Sequence, residues 1–115
     1  MTKVFISQPM RGKTDDEILK AREKAKEAIK EYHGDEIQIL DSYFADYDPE
    51  NGCVPLKYLA KSLEILADAD IAYFIKGWQD ARGCRIENEC AIEYGITVIE
   101  DYSESKEERR DDQSD

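Results

Sequence analysis

Ile71-Ala72-Tyr73-Phe74-Ile75 is the most apolar run of the chain. A half-exposed strand alternates apolar and polar residues. A strand apolar at almost every position is covered on both faces, as in a parallel sheet sandwiched between helices. Residues 77–91, which follow, read as the end of that strand, a loop and the first turns of a helix. In an open parallel sheet, ligands bind where strands end and helices begin. Glu87 lies one turn into this helix. It is expected to share a face with Ile86, Cys90, Ala91 and Tyr94. A carboxylate on an apolar stripe needs a reason.

The rest of the chain supplies the other elements of such a sheet. Val4-Phe5-Ile6 is a short buried strand that feeds a loop over 8–14. Thr14 or Asp15 caps a helix, with Glu17 in capping-box position after Thr14. The helix runs to about Tyr32, with Ile18, Ala21, Ala25, Ala28, Ile29 and Tyr32 as its apolar stripe, and His33-Gly34 ends it. Residues 37–40 form a second strand. A long loop over 41–53 leads to a helix with Pro55 at its first position and Leu56, Leu59, Ala60, Leu63 and Leu66 or Ala67 on its buried face. Tyr94-Gly95 closes the last helix, with Gly95 as a left-handed cap. Residues 96–99 form the last strand.

The β-α-β-α-β-α-β order predicts one three-layer, Rossmann-like or flavodoxin-like α/β domain over residues 1–102. Its parallel sheet has four or five strands, with right-handed crossovers and an order of 2-1-3-4. The loops after the first and third strands then face each other across the switch point. Residues 103–115 lack apolar side chains and are expected to be an acidic, mobile tail or a frayed helix.

The chain carries 16 Lys+Arg against 27 Asp+Glu, a net charge of −11. That argues against binding a nucleic acid polymer, which needs a basic surface. No apolar run approaches the roughly 20 residues of a membrane span, and no signal peptide is visible. Cys53, Cys84 and Cys90 show no disulfide framework or zinc spacing, which fits a reducing, cytoplasmic setting. No metal site is expected. The one histidine, His33, reads as a helix-end residue.

The loop after the first strand brings Ser7, Gln8, Pro9, Met10, Arg11, Gly12 and Lys13. The loop after the third brings Trp78, Arg82, Gly83 and a helix N-terminus, whose free N–H groups favour an anion. The helix dipole and Arg82 or Arg85 are expected to keep Glu87 ionised. An ionised, oriented carboxylate can attack a sugar C1 or stabilise an oxocarbenium ion. The plainer alternative is a carboxylate that serves only the helix dipole. Trp78 can stack on a base or sugar, or pack in the body. The same choice holds for Tyr43, Phe44 and Tyr47 of the long loop.

Three segments carry a resemblance: Val4-Phe5-Ile6-Ser7-Gln8-Pro9-Met10-Arg11-Gly12, Ala67-Asp68-Ala69-Asp70-Ile71, and Gly83-x-x-x-Glu87-x-x-x-Ala91-x-x-x-Gly95. In this order and at these separations they resemble the nucleoside 2-deoxyribosyltransferase superfamily, including its 2′-deoxynucleoside 5′-phosphate N-hydrolases. Within it the chain looks most like a small bacterial and phage branch. The resemblance implies a nucleoside or nucleotide site, Glu87 as the nucleophile of a covalent glycosyl-enzyme, and Met10-Arg11-Gly12 at a 5′-phosphate. It implies a structural Asp70 and a homodimer or larger homo-oligomer. Three positions depart from the enzymes' pattern. Phe5 stands where they carry a Tyr, Ser62 where they carry an Asp, and Ala81 where they carry an Asp or Ser. Phe5 removes a hydroxyl that could bond Glu87, and Ser62 removes a candidate general acid.

The expected function is transfer or hydrolysis at the N-glycosidic bond of a nucleoside or nucleotide, with no metal or organic cofactor. Glu87 is the catalytic residue, and Ser7, Gln8, Pro9, Met10, Arg11, Gly12, Trp78, Arg82 and Gly83 bind substrate. The alternative is a non-catalytic nucleotide, or nucleotide-signal, binder on the same fold. A third reading is a protein-interaction module that uses the 41–53 loop or the tail.

Overall fold

The computed structural model describes residues 1–42 and 47–102. It contains β1 (Thr2–Ser7), α1 (Asp15–His33), β2 (Ile37–Ile39), α2 (Val54–Leu66), β3 (Ile71–Phe74), α3 (Arg82–Glu93) and β4 (Thr97–Glu100), with a 3-10 turn at Trp78–Asp80. The strands form a four-stranded parallel sheet in the order β2-β1-β3-β4. This is the expected α/β architecture and strand order. The expectations for residues 103–115 and for Tyr43 and Phe44 lie outside the described residues.

The local signals act as their chemistry requires. Thr14 caps α1 in a full capping box, its hydroxyl accepting from the Glu17 N–H while the Glu17 carboxylate accepts from the Thr14 N–H. Past α3, Gly95 adopts φ 77°, a conformation that glycine enters without a Cβ penalty. Pro55 stands one place later than expected, because α2 begins at Val54.

Successive residues of β1 point to opposite faces of the sheet and divide the core in two. Val4 and Ile6 join Ala25 and Ile29 of α1, with Ile37, Ile71, Tyr73 and Ile75. Phe5 joins Leu66 of α2 and Cys84 and Ala91 of α3, with Ala72, Phe74 and Trp78. Asp70 ties the entry of β3 to β1: its carboxylate accepts from the Lys3 N–H at 2.8 Å and its own N–H donates to the Lys3 carbonyl.

Three expected stripes are narrower than their composition. Ala28 and Tyr32 of α1 are exposed, as are Leu56 and Ala60 of α2. On α3 the buried residues are Cys84, Glu87, Asn88 and Ala91, while Ile86 and Tyr94 face outward. The apolar character of Ile86 and Tyr94 points to a helix phase about one position away from the one that packing selects. Glu87 keeps its buried place because it lies four residues before Ala91, which is fully buried.

Candidate functional site

The loops after β1 and β3 meet at the C-terminal edge of the sheet. Gly77 turns there with φ 92°, and a Cβ on it would stand 3.8 Å from the ring of Pro9. The segment after β1 makes a tight turn in which the Lys13 N–H donates to the Met10 carbonyl and Gly12 takes φ 79°. Arg11 and Gly12 are exposed on this turn, and Arg82 is exposed at the start of α3. Gly83 is half-buried beside it.

Glu87 lies beneath these loops, 7% exposed. The Ser7 hydroxyl, at the last position of β1, donates to its Oε1 at 2.6 Å. Burial raises the carboxyl to about 7, against the lowering effect of hydrogen bonding from Ser7 and from Ser62 on α2. The expectation that the helix dipole and Arg82 or Arg85 hold Glu87 ionised is therefore corrected. α3 starts at Arg82, so Glu87 stands in its second turn, beyond the dipole's short reach. Arg85 donates instead to the Gln79 carbonyl at 2.9 Å. Desolvation wins because two neutral hydroxyls supply less than one cation would.

Cys84, one turn back on the same helix, is 4% exposed. Burial, with the charge of Glu87, pushes its thiol up to about 11, so it stays a neutral neighbour of Ser7 and Glu87. The next α3 residue, Asn88, points elsewhere and donates to Glu100 at 2.7 Å, at the end of β4.

A half-buried charge stands on the other side of β1. Arg22 of α1 donates to Gln8 Oε1 at 2.9 Å, to Ser42 Oγ at 2.8 Å and to the Leu40 carbonyl at 3.4 Å. Burial lowers its pKa, opposed by Asp41. Gln8 also donates to the Ile18 carbonyl at 2.8 Å, so both ends of its amide are engaged with α1. Gln8, expected at the substrate, is 6% exposed and faces the helix.

Trp78 is likewise in the core, 8% exposed, with ring centroids 5.5 Å from Phe74 and 6.0 Å from Tyr102. That is the packing alternative, although its indole N–H is buried with no acceptor among the described residues. Tyr47 also packs: its ring lies edge-on to Tyr58 at 5.1 Å, and its carbonyl accepts from the Tyr58 hydroxyl.

The structure brings Ser7 and Glu87 into contact and places Pro9 beside the β3 loop. Arg11, Gly12 and Arg82 lie on the surface at the same edge. Arg22 and Cys84, which the sequence does not mark as residues of the strand-end cluster, also stand there, and Ser62, singled out only through the resemblance, bonds Glu87. Arg22 had a readable signal: Ile18, Arg22, Ala25 and Ile29 recur at helical spacing, which puts a cation in a buried stripe. Two surface hollows lie on the outer side of α1, around Leu19 and Lys20, and beside Met1 and His33; Glu87 lines neither. Among the described residues no cluster of three or more His, Cys, Asp or Glu could hold a metal ion, and no helix is long and apolar enough to cross a membrane.

Comparison with known proteins places the chain in one family. The chain belongs to the family described as "Domain of unknown function (DUF4406)", whose model matches residues 2–100. No curated protein and no solved structure matches it.

Proposed function

Within that family, we propose that the chain acts at the N-glycosidic bond of a nucleoside or nucleotide, with Glu87 as the nucleophile. The observation that carries this reading is Glu87 itself: a buried carboxylate at the β1/β3 switch point, oriented by Ser7 and raised to about 7 by burial. A carboxylate that only served the helix dipole would stand in the first turn, near solvent. Burying one without a cation sacrifices stability, and such sacrifices cluster at functional sites. Ser7 donates to Oε1 and Ser62 also hydrogen-bonds the carboxylate, so the two hydroxyls hold it in place.

In the reaction, a carboxylate oxygen of ionised Glu87 forms a bond to C1′ as the C1′–N bond breaks. The base leaves with the electron pair and takes up a proton from solvent water. Water, or a second base, then attacks C1′ and releases Glu87. Arg11 and Gly12 at the turn after β1 and the N-terminus of α3 supply donors for a phosphate or a sugar hydroxyl.

The test is base release from a panel of nucleosides and nucleoside 5′-monophosphates. The wild type should release base, and Glu87→Ala should lower turnover by on the order of 10⁴-fold or more while ligand binding persists. No cleavage of any panel member at high enzyme concentration would sink the proposal.

Ser62 favours a second reading. It stands where the resembling enzymes carry an Asp, and it spends its hydroxyl on Glu87. A non-catalytic nucleotide binder accounts for that arrangement. It predicts a thermal shift with a nucleotide, no turnover, and an unchanged shift in Glu87→Gln.

A further inference from the structure

Arg22 takes no part in the chemistry proposed for Glu87, yet its guanidinium reaches residues past the ends of two strands. It comes from α1, on the face of the sheet opposite α3. One branch of its guanidinium reaches Gln8, the first residue past β1. The other reaches the Leu40 carbonyl and the Ser42 hydroxyl, just past β2. Ser42 closes the circuit by donating to the Ile6 carbonyl of β1 at 2.9 Å. Ser42 is 5% exposed and Gln8 6%, so water is a poor substitute for either contact.

We infer that Arg22 is a positioning residue that pins the loops leaving β1 and β2 as one unit, through Gln8 on one side and Ser42 on the other. A guanidinium is a planar fork with fixed donor directions, so Gln8 and Ser42 cannot shift independently while both are bonded to it. A lysine would keep the charge and lose the fork. The loop that follows Gln8 carries Arg11 and Gly12, so the pin sets where those residues stand relative to Glu87. The inference rests on the strand-end edge being the ligand site, but its test needs no ligand. A failure here leaves the nucleophile proposal standing, and the reverse also holds.

The experiment is amide hydrogen exchange over residues 8–13 and 38–42, read in Gln8→Ala, Ser42→Ala and the double variant, each with Arg22 intact and with Arg22→Lys. With Arg22 intact, each single change should speed exchange in the other loop as well as its own, and the double variant should depart from additivity by a factor of about 3 or more. In Arg22→Lys the cross-effects should vanish, while the β3 amides at Ala72 and Tyr73 keep their protection. Effects confined to each variant's own loop would overturn the inference, as would cross-effects that persist in Arg22→Lys. If the double variant fails to fold, the cross-effects of the two single variants decide the matter.

Discussion

Glu87 and Arg22 approach the end of β1 from opposite faces of the sheet. Each is a charged residue on the buried stripe of a helix. They bond consecutive residues, Ser7 and Gln8, whose side chains alternate across the strand. Arg22 has three acceptors, one past β1 and two past β2, and its long stem lets the charged end reach them all. Glu87 has hydroxyl partners, and burial raises its pKa to about 7. The difference separates a charge that builds the frame from one left under-compensated within it. Only the second is poised to change its protonation state near neutral pH.

If that contrast holds, the two side chains respond oppositely to replacement. Arg22→Met leaves Gln8, Ser42 and the Leu40 carbonyl without their donor, and buried acceptors that lose a charged donor are costly. The expected loss is about 3 kcal/mol in urea unfolding, nearly constant from pH 5 to pH 8. A loss under about 0.5 kcal/mol would show that the network is incidental.

Glu87→Gln should instead stabilise the fold, and only at higher pH. The ordinary carboxyl value is 4.5, whereas Glu87 in the fold stands near 7. Between those values the native state holds a proton that the unfolded chain has released, so wild-type stability falls as pH rises through the window. The amide keeps an acceptor for Ser7 and carries no charge to desolvate. The gain is expected to approach about 3 kcal/mol at pH 8 and to vanish below pH 4.5. A gain independent of pH would break the comparison.

Thr14→Ala lies away from both charges and calibrates them. It removes the hydroxyl half of the α1 capping box and should cost about 1 kcal/mol. A larger loss would mean that the α1 start, next to the Arg11–Gly12 turn, is coupled to the site.

Most of this frame is legible in the sequence because short-range chemistry writes it. The apolar β3 run, the Thr14–Glu17 box and the Gly95 cap each act within a few residues, and with right-handed crossovers they lead to the observed strand order. The site is legible in part. Glu87 stands out because a carboxylate interrupts an apolar pattern. Arg22 interrupts the α1 stripe in the same way, but it sits among lysines and glutamates and reads as solvated surface. Ser62 is chemically bland, so only the resemblance singles it out, and its bond to Glu87 is visible only once α2 packs against α3. The ionisation of Glu87 depends on which turn of α3 it occupies and on where Arg85 points. A one-residue difference in the helix start changes the first, and only tertiary packing decides the second.

The most direct measurement is a ¹³C NMR titration of the Glu87 side-chain carboxyl, assigned by its absence in Glu87→Gln and repeated in Ser7→Ala. The account predicts a midpoint near 7 that rises further when the Ser7 hydroxyl is removed. A midpoint near the ordinary 4.5, unmoved by Ser7→Ala, would contradict it.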